Sequence, residues 1–160
     1  MARIIPNENT WIGFTPTIAS ANLVPTLAEV TAAVDLTSFV ISLNASARGN
    51  AVPTPSFDSL FETSTAGTSS ATFDADFYRD DAADNDIAWE TLPRGTRGFF
   101  IVQRYGSGGT APTTGDEVEV WPVMVTSRTM ANMSNNTVLT FTVSCAVNLE
   151  PNEAAVVAAA

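Results

Sequence analysis

Residues 71–105 constrain the fold most. Thr72, Asp74, Asp76 and Tyr78 alternate with Phe73, Ala75 and Phe77. Successive side chains of a strand point to opposite sides of a sheet, so this pattern predicts one polar and one apolar face. The pattern then changes. Asp80, Asp81, Asp84 and Asp86 lead into Ile87-Ala-Trp-Glu-Thr-Leu92, and Pro93 comes next. Carboxylates suit the positive end of a helix dipole, and proline cannot continue a helix. A helix at about 80–92 is expected, with Asp80 or Asp81 as N-cap and Ala83, Ile87 and Thr91 along one side. Gly95 turns the chain into Gly98–Tyr105, apolar on both faces at its start.

The rest of the chain reads as strands and turns. Asp35–Leu43 and Phe57–Thr63 are expected strands, and Thr63–Ser70 a Ser/Thr/Gly turn region. Asp116–Thr126 is a strand whose Pro122 marks an edge or a bulge, because proline lacks a ladder donor. Arg128–Asn136 reads as a polar connection. In the last strand, 137–148, Leu139, Phe141, Val143, Cys145 and Val147 oppose Thr140, Thr142 and Ser144. Residues 44–55, with Gly49, Asn50, Pro53 and Pro55, read as a long loop, and a loop of that length suggests a contact arm. Gly106–Gly115 reads as a hairpin loop. Thr26-Leu-Ala-Glu29 is a capping box, so a short helix is expected near 27–33. Residues 1–25, broken by Pro6, Pro16 and Pro25, read as an N-terminal arm, and 149–160 as a flexible tail. The expected fold is mainly β: one domain, an antiparallel sandwich or barrel with one flanking helix.

Composition prunes the chemistry. The chain of 160 residues has 17 acids against 7 basic residues, all arginine, and no histidine, for a net charge of −10. Stable binding to nucleic acid needs clustered cations, which are missing. Without histidine there is no Ser-His-Asp or Cys-His machinery and no histidine-ligated zinc. Cys145, alone in an alternating strand, reads as a small buried hydrophobe rather than a nucleophile. Asp80, Asp84 and Asp86 lack the glycine and the terminal glutamate of a calcium loop. Asp74 and Asp76 share a strand face, but no aromatic substrate cleft accompanies them. No apolar run approaches the roughly 18 residues of a membrane helix. No enzymatic activity, cofactor, metal site or membrane contact is expected.

The order of four stretches resembles the tail tube (major tail) proteins of long-tailed bacteriophages, especially those infecting actinobacteria. They are Pro25–Thr37, Ala71–Asp81 with its Phe-Tyr-Arg-Asp ending, Leu92-Pro-Arg-Gly-Thr-Arg-Gly-Phe-Phe-Ile-Val102, and Val118-Glu-Val-Trp-Pro-Val-Met-Val-Thr126. The resemblance implies a β-sandwich with a helix at its side, similar also to the ring protein of type VI secretion. It implies six subunits in a ring and rings stacked into a hollow tube that delivers DNA. The implied partners are further copies, the tape-measure, tail-terminator and tail-tip proteins, and DNA in passage. The implied location is the virion tail, with assembly in the host cytoplasm. Residues expected to face the lumen are Asp74, Asp76, Thr140, Thr142 and Ser144. Residues expected between subunits are Arg94, Arg97, Asp80, Asp81, Arg48 and Pro53. Two other readings stay open. One is a capsid decoration or head–tail joining protein. The other is a carbohydrate-binding sandwich that stacks sugars on Trp11, Trp89 and Trp121.

Overall fold

Three neighbouring strands are apolar on both faces, which forces the molecule to build a core on each side of them. In the computed structural model, which describes residues 3, 5–81, 85–106 and 108–159, these are β1 (Trp11–Thr15), β5 (Arg97–Gln103) and β6 (Glu117–Met130). Ile12, Phe14, Phe100, Val102, Trp121, Val123 and Val125 enter the larger core. Trp11, Ile101, Val118 and Val120 enter a smaller core on the opposite side. The first joins Phe73, Ala75 and Phe77 of β4 (Thr63–Tyr78) to Phe141 and Val143 of β7 (Thr140–Val147). The second is closed by Val30 of α1 (Leu27–Ala32) and by Ala155 and Val157 near β8 (Asn152–Val156).

With β2 (Val34–Asp35) and β3 (Val40–Thr54), the strands run in the order β2-β1-β5-β6-β7-β4-β3, and β8 also pairs with β6. Each of these strand pairs is antiparallel. The sheet curls over on itself. Phe73 of β4 stacks on Phe100 of β5 with ring centroids 4.5 Å apart, although two strands separate them in the sheet. The expected antiparallel β-sandwich is therefore present.

Pro122 is neither at an edge strand nor in a bulge. Along one side β6 keeps β5, with Pro122 opposite Phe99. Along the other it pairs with β8 as far as Val120 and with β7 from Val123. The carbonyl of Pro122 accepts the Asn148 N–H on that second side at 3.3 Å. Its missing donor therefore falls in the gap between two partners, where no ladder bond is lost.

The capping box is formed. Thr26 Oγ1 accepts from Glu29 N–H, and Glu29 Oε2 accepts from Thr26 N–H at 2.8 Å. The later helix is shorter than expected. α2 spans Ile87–Thr91, and Asp86, not Asp80 or Asp81, occupies the N-cap position. Its carboxylate makes no capping bond because it pairs with Arg79 instead, at 2.6 Å. Ala83 and Asp84 lie outside the described residues.

The termini are built into the body. β1 lies between β2 and β5, so the expected arm of residues 1–25 contains a buried strand. The expected flexible tail supplies β8, and Leu27 N–H donates to the Ala158 carbonyl at 2.9 Å. Asn152-Glu-Ala-Ala-Val-Val157 shows no alternation that would announce a strand by itself.

The largest correction concerns residues 44–70. The expected loop 44–55 is the outer part of β3, and the expected turn 63–70 is the start of β4. Register holds from Ser42–Asp76 to Thr54–Thr63, with a shift between Gly49 and Ala51. The expected strand 57–63 is mostly the tip that joins them.

Candidate functional site

Every residue from Ala47 to Ser70 is exposed. This arm has no core of its own, and only small and hydroxylated side chains line most of it. At about 3.3 Å per residue, the eight residues from Ala47 to Thr54 carry it roughly 26 Å beyond the body. Its tip presents Phe57, Leu60 and Phe61, at 115%, 111% and 77% relative exposure. Apolar side chains clustered at the end of an extension are a contact surface in search of cover.

A second surface is the outward face of β3, β4, β7 and the end of β6. Ser42 lies opposite Asp76, Asn44 opposite Asp74 and Ser46 opposite Thr72. On the other side of β4, Asp74 meets Ser144, Asp76 meets Thr142 and Tyr78 meets Thr140. The five residues expected to face the lumen therefore share one face of the sheet. Period-two alternation places them there, because Phe73, Phe77, Phe141 and Val143 take the core side. Asp76 is held by two hydroxyls: Thr142 Oγ1 donates at 2.5 Å and Ser42 Oγ at 2.7 Å. These bonds, that from Thr142 first, hold its carboxyl below the ordinary value of 3.8.

β6 joins this face through a bulge. Its register with β7 shifts between Val125 and Ser127, and Thr126 Oγ1 donates to the Ser144 carbonyl at 2.9 Å. One extra residue reverses the sides taken by the strand from Ser127 onward. Ser127 and Thr129 pair with Ser144 and Thr142, while Arg128 pairs with Val143 and turns to the core edge. There its guanidinium lies 3.4 Å from the Trp89 ring centroid and donates to the Trp89 carbonyl at 2.7 Å. Arg79 covers the same indole at 4.0 Å, and Phe141 meets it edge-on at 5.1 Å. Trp89 is thus wedged between two cations and the core, and Trp11 and Trp121 are buried. No three tryptophans line a common exposed cleft of the kind a sugar-binding surface needs.

The residues expected between subunits are scattered. Arg48 and Pro53 lie on the arm, Asp80 and Asp81 follow β4, and Arg94 and Arg97 flank the turn before β5, all exposed. Among the described residues, no ion pair joins Arg94 or Arg97 to Asp80 or Asp81.

The match to a family model decides the relationship: the phage tail tube protein model covers residues 1–160. The chain belongs to that family. No curated protein matches its sequence. Among solved structures, this tail tube chain is similar to a chain in the tail of an empty gene transfer agent particle refined with C6 symmetry. The TM-score is 0.57 at 15% identity, over 96% of this chain and 100% of that one. A chain of the native gene transfer agent virion gives 0.56 at 15% identity, over 95% and 100%. A chain of the anti-feeding prophage baseplate, 6-fold symmetrised, gives 0.55 at 9% identity, over 95% and 96%. At such identities the likeness is one of fold.

Ser42, Ser46, Ser127 and Thr129 on the polar face, and the apolar tip of the tail tube chain's arm, escape the sequence reading. An arm exposed on both sides has no apolar alternation to reveal its strands, and the bulge at Thr126 has no local signature. The arm's strongest signal is the β-branched, hydroxyl-rich run Thr63–Thr72 facing no apolar residue of its own.

Proposed function

We propose that copies of this tail tube protein close into hexameric rings, and that the rings stack into a hollow tail tube through which DNA leaves the particle. The arm carries this reading. A two-stranded extension that stays exposed from Ala47 to Ser70 and ends in Phe57, Leu60 and Phe61 is stable in isolation only at a cost. A neighbouring copy would cover it. A contact between two different patches of one chain repeats head to tail, so it generates rings and stacks without a second component. The sixfold symmetry named for the similar assemblies agrees with this geometry.

The face of Asp74, Asp76, Thr140, Thr142 and Ser144 is the proposed lumen wall. It is hydroxylated and carries acids, and Arg48 lies on the same side only where β3 runs out onto the arm. Duplex DNA carries about one negative charge per 1.7 Å, so such a wall repels its phosphates and lets it slide. Arg48, Arg94, Arg97, Pro53, Asp80 and Asp81 would then lie toward neighbouring copies. Tape-measure, tail-terminator and tail-tip proteins are the proposed further partners, assembly in the host cytoplasm the proposed route, and the role non-enzymatic.

Mass measurement of the purified chain by analytical ultracentrifugation tests the reading. Sixfold rings or their stacks are expected above a threshold concentration. A chain that remains monomeric at all concentrations, and also with its tail partners, would overturn it. Labelling of intact virions along the head rather than the tail would favour a decoration protein.

A further inference from the structure

β3 is an end strand of the sheet, so half of its backbone groups face away from β4. An edge of this length is a template for another strand, and natural sheets block such edges selectively. Here Pro53 and the register shift between Gly49 and Ala51 interrupt the outer part of the edge, and one side chain blocks the inner part. Ala45, opposite Phe73, offers its carbonyl to Arg104 Nη2 at 3.0 Å. The same guanidinium forks onto Glu119, with Nε–Oε1 at 2.6 Å and Nη2–Oε2 at 3.0 Å. Glu119 Oε2 in turn accepts the indole N–H of Trp121 at 3.0 Å, and Trp121 is 1% exposed. Arg104, half exposed, is therefore a plug tied through a planar fork to Glu119, which reaches the larger core through Trp121.

Beyond the plug the edge is unobstructed only as far as the register shift after Gly49 and then as far as Pro53, which has no N–H to offer. From Ala47 the strand is exposed, and Arg48 is the one charged residue in 47–56 and 63–72. In a chain of net charge −10, these two strand stretches carry no acid, and the arm's two acids, Asp58 and Glu62, sit at its tip. Like-charged copies repel over most of their surface but can lie alongside one another here.

We propose that Arg104 is a register stop for strand pairing between copies. Resting on the reading that this chain assembles with itself, the inference is that a second copy's strand pairs with β3 only outward from Ala47. Pairing halts where the guanidinium occupies the Ala45 carbonyl. Because a one-residue slip exchanges the two faces of a strand, the stop also determines which face the added strand turns toward the polar wall.

The test compares wild-type chain with Arg104→Ala and Arg104→Lys. Lysine keeps a charge beside Glu119 but cannot fork to it and reach Ala45, so it carries the test if the alanine variant fails to fold by circular dichroism. Two readouts are taken. In unassembled protein, amide exchange over 45–50 should rise by about tenfold, as expected for losing one charge-assisted tie. In assembled particles, wild type should give one set of helical layer lines and the variants mixed or blurred sets. Variant particles with wild-type layer lines, or unchanged exchange in a folded variant, would overturn the register stop alone. Wild-type protein that forms no particle would overturn the assembly reading and this inference with it.

Discussion

Asp76 and Thr142 face each other across the β4–β7 pair, and the threonine hydroxyl donates to the carboxylate at 2.5 Å. With Ser42 completing the cradle at 2.7 Å, an acid on the proposed lumen wall is kept ionised without any cation beside it. The wall can therefore stay negative while remaining well ordered.

Replacing Thr142 by valine removes the larger of the two contributions. The folded-state pKa of Asp76 lies below its ordinary 3.8, so its stabilising contribution is present above that value and fades as pH falls through the folded pKa. In Thr142→Val the Asp76 titration, followed by carboxyl NMR, should move upward toward 3.8. At neutral pH the loss of stability should stay below about 1 kcal/mol, because the pair is partly solvated. An unmoved titration would mean that the hydroxyl does not hold the charge.

Gly98 is a packing requirement of the double core. A Cβ there would lie 2.5 Å from the Phe14 ring and 2.7 Å from the Thr15 carbonyl oxygen. The backbone atom cannot step aside without breaking the β1–β5 pairing. Gly98→Ala should cost about 1–3 kcal/mol in urea unfolding. Gly49→Ala on the arm, where nothing lies within 4 Å, should be close to neutral. Equal effects at the two sites would contradict the packing described.

Cys145 should be inert in the folded protein. Burial, and then the nearby charge of Asp74, push its thiol up to about 12. At pH 8 a thiol reagent should label native protein far more slowly than protein in denaturant, since the thiolate is the nucleophile. Rapid native labelling would place the thiol in a more open setting.

The arm tip should matter for assembly and not for folding. Phe57→Ser, Leu60→Ser and Phe61→Ser together remove exposed apolar surface that touches no core. Surface changes of this kind are usually within about 0.5 kcal/mol each, so the melting temperature of the monomer should shift by only a few degrees. Ring or tube formation should be lost. Assembly at wild-type concentrations would show that the tip is not a contact.

The sequence was most legible where burial imposes a period. Alternation in 72–78 and 140–147 located both strands and placed Asp74, Asp76, Thr142 and Ser144 on their outer side. Thr26 and Glu29 announced α1 by local hydrogen bonding alone. Legibility failed where neighbours decide the conformation. Ala47–Thr54 is a strand only because Thr63–Ala71 lies against it, and its Gly49, Asn50 and Pro53 point locally to a loop. Asp86 reads locally as one capping acid among several, and only the fold brings Arg79 beside it. Ala155 and Val157 became core residues only because α1 and β6 leave a space for them.

The proposed assembly of this chain is a sixfold hollow tube with the Asp74–Asp76 face inward. Helical cryo-electron microscopy of particles assembled from the purified chain, alone or with its tail partners, would reveal which face lines the channel. The predicted result is stacked sixfold rings with density for β3, β4 and β7 lining the channel and the arm tip covered by a neighbouring copy. Particles in which that face lies on the outer surface, or the arm projects uncovered into solvent, would contradict it.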